Sequence, residues 1–158
     1  MSFDASKFQI MPLDKANLAG FIQIAEILEE APHWSLDAYL GLINRDPSVP
    51  RISLVAQDVQ AGEVIGFVVA CLLPPEAEIE SIGVTTSFQR HGVGSRLMEA
   101  LIRELNRREA KQLFLEVRAS NGTALAFYRS LGFVQTGHRP RYYADPVEDA
   151  VLMTLRLS

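Results

Sequence analysis

An α/β fold, with helices on both faces of a mostly antiparallel sheet of six or seven strands, is predicted by three observations. Runs rich in β-branched and aliphatic residues recur at 51–57, 63–73, 78–85, 113–117, 133–143 and 151–157. The first three of these follow one another with no helical segment between them, which argues against a doubly wound parallel sheet. A strongly amphipathic helical segment stands at 93–108, in the midst of the strands.

Each element has its own signal. Phe8 to Leu13 reads as a first strand. Asp14 is placed to cap a helix running to about Glu30, with Leu18, Ile22, Ala25 and Leu28 on its buried face. Pro32 stops it. Ser35-Leu36-Asp37 caps a shorter helix with Tyr39, Leu40 and Ile43 apolar, and Asp46-Pro47-Ser48-Val49-Pro50 is a loop. Ala61-Gly62 joins the next two strands as a hairpin, and Pro74-Pro75 closes that unit. In the helix at 93–108, Val93, Leu97, Leu101 and Leu105 repeat at i+4, with Met98 and Ile102 beside them. Glu99 to Arg103 and Glu104 to Arg108 are i,i+4 pairs in the favourable order. Thr123 to Leu131 forms a last helix, ended by Gly132. Asp145-Pro146 divides the final two strands.

Composition bounds the function. The chain has 158 residues, 48% of them hydrophobic, which suits one domain over 1–158. A net charge of −4 gives no global basic field to draw in nucleic acid. The longest apolar run, Val64 to Leu73, is too short to span a bilayer. One cysteine, Cys71, excludes disulfides and reads as a small core residue, so a soluble protein of the reducing cytoplasm is expected. His33, His91 and His138 lack ligand spacing, so no metal is expected. A monomer or a homodimer fits the chain equally well.

The chemistry-bearing stretch is Gln89-Arg90-His91-Gly92-Val93-Gly94-Ser95, between a strand and the amphipathic helix. A helix N-terminus offers unpaired N–H groups and the positive end of its dipole, and glycine leaves that backbone bare. A phosphate or pyrophosphate suits such a site, with Gln89, Arg90 and Ser95 as added donors. No Walker lysine is present, and Leu97 stands where a dinucleotide fingerprint needs its third glycine. On spacing alone, an ordinary strand-to-helix turn remains open.

Gln89-Arg90-His91-Gly92-Val93-Gly94 matches the (Arg/Gln)-x-x-Gly-x-(Gly/Ala) pattern of the GNAT acetyltransferase superfamily. Leu115-Glu116-Val117-Arg118-Ala119-Ser120-Asn121, Ala126-Phe127-Tyr128 and Leu131-Gly132-Phe133 match its next block. The wording most resembles the RimI type, the ribosomal-protein-alanine N-acetyltransferases. Arg141-Tyr142-Tyr143-Ala144-Asp145 and Glu148-Asp149-Ala150 resemble the ends of protein N-terminal acetyltransferases, and Pro32-His33-Trp34-Ser35 resembles a Pro-Trp-Ser stretch with a histidine inserted. The resemblance implies a GNAT-like fold using acetyl-CoA. The pyrophosphate would lie on the N–H groups of residues 90–95, among them those of His91 and Val93. The pantetheine arm would run along Ile82-Gly83-Val84, where strands splay at the acetyl-CoA cleft. Gly83 is compatible with the family's bulge or with close backbone approach. Asn121 would contact the coenzyme and can also cap a helix.

The resemblance makes Glu116 the general base. Its other reading is a solvent-facing carboxylate paired with Arg118 or a helix arginine. Glu80 is the second candidate, as a base or as part of an acidic rim with Glu78. Tyr128 is the candidate acid, or a core aromatic. With a thiol near 8.5 and a phenol near 10, full proton transfer is uphill by about 2 kcal/mol, so Tyr128 is expected to support the leaving thiolate by a hydrogen bond. The N–H of Val84 would donate to the oxyanion. Tyr142 and Tyr143 would line a peptide groove, or pack on the sheet edge. An α-amine, with a pKa of about 8, is easier to deprotonate than lysine at about 10.4. The expected acceptor is therefore a protein N-terminus, by resemblance the alanine of a small-subunit ribosomal protein. Small amines, lysine side chains and a non-catalytic acetyl-CoA-binding module are the alternatives.

Overall fold

The computed structural model describes residues 7–28, 34–43 and 50–158. In chain order the elements are β1 (Phe8–Pro12), α1 (Leu18–Ile27), α2 (Leu36–Ile43), β2 (Arg51–Asp58), β3 (Val64–Leu73), β4 (Glu76–Val84), α3 (Val93–Arg107), β5 (Gln112–Arg118), α4 (Gly122–Ser130), β6 (Val134–Tyr143) and β7 (Glu148–Arg156). A single 3₁₀ turn, Thr86–Phe88, lies between β4 and α3. The Pro32 stop, His33 and the loop at 46–49 lie outside the described residues.

The strands form one seven-stranded sheet in the order β1-β2-β3-β4-β5-β7-β6. Every neighbouring pair is antiparallel except β4 and β5. β3 is buried on both faces, which explains its unbroken apolar run. On one face α3 lays Leu97, Met98, Leu101 and Leu105 into a cluster with Val68, Ala70 and Leu113, and α4 adds Leu125 and Tyr128. On the other face α1 and α2 cover Phe67 and Val69 with Phe21, Ile24, Tyr39 and Leu42. Phe21 meets Tyr39 and Phe67 edge to face, at centroid distances of 5.6 and 4.8 Å.

Two local expectations are corrected. Asp14 does not cap α1. Its Oδ1 accepts from the N–H groups of Ala16 and Asn17, and Asn17 Oδ1 accepts from the N–H of Asp14. This closed turn delays the helix to Leu18. The buried face of α1 is then Phe21, Ile24 and Ala25, with Leu18, Ile22 and Leu28 only partly covered. In α2, Ser35 Oγ accepts from the N–H of Ala38 as expected, but Tyr39 and Leu42 are the buried pair and Leu40 is exposed.

Candidate active site

The site begins where the sheet comes apart. β4 and β5 run parallel and pair only over Glu76–Glu78 against Gln112–Phe114. Beyond Glu78 and Phe114 the two strands part, leaving 79–84 and 115–118 to wall a cleft of about 1270 Å³. α3 and α4 close its other side, and Tyr142 and Tyr143 stand at its rim.

A bulge shapes one wall. Val69 pairs with Ser81 and Ala70 with Ile79, so Glu80 is the extra residue in β4. The bulge reverses side-chain parity: Ile79 and Ile82, three apart, both pack toward the α3 cluster. Gly83 is not the bulge. It faces the other way, where a Cβ would collide with Leu28 and come within 3.1 Å of Phe67, so glycine is required for close approach. Glu80 is tied down by Arg51, reaching across β3 from β2, with Nε to Oε1 at 2.7 Å and Nη2 to Oε2 at 3.3 Å.

The glycine loop forms a second wall. Arg90 and Gly92 are left-handed, at φ 65° and 83°. Gly92 is the N-cap of α3, offers no capping side chain, and has open space where a Cβ would project. The first helical hydrogen bond is from the N–H of Arg96 to the Gly92 carbonyl at 3.1 Å, which leaves the preceding N–H groups outside the helical ladder. Arg90, Gly92, Gly94 and Ser95 line the cleft. Gln89 also lines it, but its side-chain amide donates to the Val84 carbonyl at 3.1 Å and so ties the loop to the end of β4. His91 is exposed and does not reach the cleft, and the Val93 side chain is buried beneath it, so only their backbone is available. Asn121 lines the cleft and caps α4, its Oδ1 accepting from the N–H of Ala124 at 3.1 Å.

Three carboxylates converge at the point where the strands divide: Glu78, Glu80 and Glu116 all line the cleft. Leu115 and Val117 are buried in the core beneath, as alternation requires, and Glu116 projects the other way. Its cation is Arg139 of β6, with Nη2 to Oε1 at 3.4 Å, and neither Arg118 nor a helix arginine. Hydrogen bonding to Glu116 pushes the Tyr142 phenol above its ordinary value. Glu78 is paired with no cation among the described residues. Burial, and then the charge of Glu116, push its carboxyl upward. Cys71 lies opposite Glu78 on β3, buried in the cleft wall, and burial raises its thiol as well, which suppresses the reactive thiolate.

Tyr128 both lines the cleft and packs in the core, its ring between Phe127 and Phe133 at centroid distances of 5.2 and 5.5 Å. Burial pushes its phenol well above the usual tyrosine range. It is a neutral hydrogen-bond donor at any physiological pH. Tyr142 and Tyr143 are the last two residues of β6. Arg118 stacks on Tyr143 at 4.4 Å and meets Glu148 at 3.4 Å, while Glu148 accepts from the N–H of Ser120 at 2.7 Å. Sequence reasoning singled out neither Arg51 nor Arg139. Both act across strands far away in sequence, and only the register reveals them.

Among the described residues no cluster of His, Cys, Asp or Glu is arranged to hold a metal ion, and no helix is long and apolar enough to cross a membrane. A sheet split between two parallel strands, with a bare helix N-terminus on one side of the split, is the frame of the site. The chain belongs to the acetyltransferase (GNAT) family, whose model matches residues 20–133. It is 38% identical over 136 residues to the ribosomal protein bS18-alanine N-acetyltransferase of Salmonella typhimurium, covering 83% of this chain and 88% of that protein. The crystal structure of the ribosomal-protein-S18-alanine N-acetyltransferase from Escherichia coli superposes with a TM-score of 0.79 at 34% identity, over 96% of this chain and 94% of that one. Arabidopsis thaliana NAA60 in complex with acetyl-CoA shares the fold, with a TM-score of 0.84 at 16% identity over 94% and 98% of the chains.

Proposed function

We propose that this chain, working as one domain over 1–158 in the cytoplasm, is an acetyl-CoA-dependent N-acetyltransferase that acts on the α-amino group of a protein N-terminus. The observation that carries this reading is the continuity of one cleft from the α3 N-terminus, through the gap between β4 and β5, to the tyrosine rim. The names of the two ribosomal-protein relatives favour an N-terminal alanine of a small-subunit ribosomal protein as acceptor.

The residues present suit acetyl-CoA. The left-handed Gly92 with open space above it, and the uncapped first turn of α3, fit a diphosphate held by backbone N–H groups of residues 90–95. The unpaired edge of β4 at Ile82-Gly83-Val84 fits an amide-bearing arm running beside it like an added strand. Bound there, the coenzyme supplies an activated acetyl thioester. Val84 N–H is the proposed donor to the carbonyl oxygen, and Gln89 fixes that end of the strand. Asn121 and Ser95 add polar contacts.

Glu116 is the proposed base. It draws a proton from the incoming ammonium, directly or through water, while Arg139, lying over the Tyr142 ring, holds its carboxylate in place. Glu80 serves less well, because Arg51 occupies both of its oxygens. Its proposed part is to fix the bulge and the acidic rim. Tyr128 donates a hydrogen bond to the departing sulfur. Its raised pKa makes outright proton transfer more costly than the roughly 2 kcal/mol expected of an ordinary phenol, so the thiolate leaves hydrogen-bonded and takes its proton finally from solvent.

A turnover screen tests the reading. Acetyl-CoA is supplied with peptides differing in their first residue, beside free lysine, polyamines and aminoglycosides. Peptides beginning with alanine are expected to turn over fastest. Preference for a small amine or for lysine would replace the proposed acceptor, and coenzyme binding without any turnover would mean a silent binding module.

A further inference from the structure

Adjacent residues of a regular strand point to opposite faces of its sheet. Tyr142 and Tyr143 do not. Tyr142 lies under Arg139, the cation paired with Glu116, at 5.4 Å, and Tyr143 lies under Arg118, two residues beyond Glu116 on the same face of β5, at 4.4 Å. Their rings meet edge to face at 5.1 Å, and both line the cleft. The register explains how. Arg139 pairs with Ala150, but the next pair is Tyr143 with Glu148, so residues 140–142 of β6 stand against Asp149 alone. Within this double insertion Arg141 is left-handed, at φ 52°, a conformation a side chain this large adopts at a cost.

Asp149 holds the insertion in shape. Its Oδ1 accepts from the N–H of Arg141 at 2.9 Å, and its Oδ2 lies 2.9 Å from His138 Nε2. Its own backbone carbonyl accepts from the N–H of Ala119 at 3.0 Å, which ties the clamp to the end of β5. Building on the N-terminal acceptor reading above, we propose that Asp149 is a positioning residue for the acceptor. By gripping the left-handed turn at Arg141 it brings Tyr142 and Tyr143 side by side onto the mouth of the cleft, where they select an extended peptide over a free small amine. The two phenols form an apolar wall with polar tips, suited to a peptide backbone crossing the rim. A small amine reaches the divided strands without touching them.

The test compares Asp149→Ala, Asp149→Asn and the double variant Asp149→Ala/Arg141→Gly, each assayed with an alanine-initiated peptide and with alaninamide. Asp149→Ala raises the peptide KM about tenfold, with kcat, acetyl-CoA affinity and the alaninamide rate held within about twofold. Asp149→Asn keeps an oxygen for the Arg141 N–H and stays close to wild type. Arg141→Gly restores the peptide KM in the Asp149→Ala background, since glycine takes a positive φ without penalty. An unchanged KM in Asp149→Ala, a failure of glycine to rescue it, or an equal loss of peptide and coenzyme binding overturns the proposal. So does an Asp149→Asn as impaired as Asp149→Ala. If the wild-type chain acetylates alaninamide and no peptide, the acceptor reading itself falls and takes the clamp's role with it.

Discussion

The Glu116 carboxylate lies 3.4 Å from the Arg139 guanidinium, and the two residues come from strands that do not touch, since β7 runs between β5 and β6. The pair spans the rim of the cleft. It keeps a second negative charge tolerable beside Glu78, whose carboxyl Arg139 draws downward against the pushes of burial and of Glu116. Replacing Arg139 by Gln removes that offset and the partner that holds the Glu116 carboxylate, so kcat/KM for an alanine-initiated peptide falls by about tenfold, read from steady-state rates.

Glu116→Gln removes the proposed base itself. The penalty is about a hundredfold at pH 6 and shrinks toward pH 9, where most α-amines are free without help. A loss that is the same at every pH would assign Glu116 a purely structural part.

Tyr128→Phe keeps the ring between Phe127 and Phe133 and deletes only the hydroxyl. kcat falls by about a hundredfold while the dissociation constant for acetyl-CoA changes less than about threefold. Because burial raises the Tyr128 phenol, the wild-type rate shows no decline from its ionisation up to pH 10. Stopped-flow rates and calorimetric titration separate the two effects.

Gly92→Ala places a side chain at φ 83° in open space, so its cost is backbone strain alone, about 1 kcal/mol. Coenzyme affinity falls several-fold with it. Gly83→Ala meets Leu28 and Phe67 in a packed layer and costs more, about 1–3 kcal/mol. Denaturant unfolding with and without acetyl-CoA distinguishes the two glycines.

Glu78→Gln tests the electrostatics of the divided strands. The folded state raises the Glu78 pKa above its ordinary 4.5, so the charged form is disfavoured on folding. That cost is absent below pH 4, grows as pH rises through the raised pKa, and is fully present above it. The Gln variant therefore melts higher than wild type at pH 7, and the advantage vanishes at pH 3.5. Thermal melts across this range read the difference.

Much of this arrangement is legible in the sequence. The i+4 repeat of Val93, Leu97, Leu101 and Leu105 fixes the buried face of α3, and the alternation around Glu116 fixes which way its side chain points. Gly92 announces a stretch of backbone left bare, and the space where its Cβ would project is open. What could not be read depends on register. The bulge at Glu80 follows from how β4 aligns with β3, not from any residue type, and of the two readings of Gly83, bulge or close approach, the packing against Leu28 and Phe67 fits the second. Arg51 finds Glu80 across an intervening strand, and Arg139 finds Glu116 in the same way. Asp14 was misread because two side chains, Asp14 and Asn17, satisfy each other's backbone before the helix begins.

The central claim is that the cleft delivers an acetyl group to an α-amine presented between the tyrosine rim and the divided strands. Two matched peptides test it most directly: one with a free alanine N-terminus and no lysine, the other with a blocked N-terminus and one internal lysine, each incubated with acetyl-CoA and read by mass spectrometry. The account predicts acetylation of the first at its α-amine and little of the second. Transfer to the internal lysine, with the free N-terminus left untouched, would contradict it.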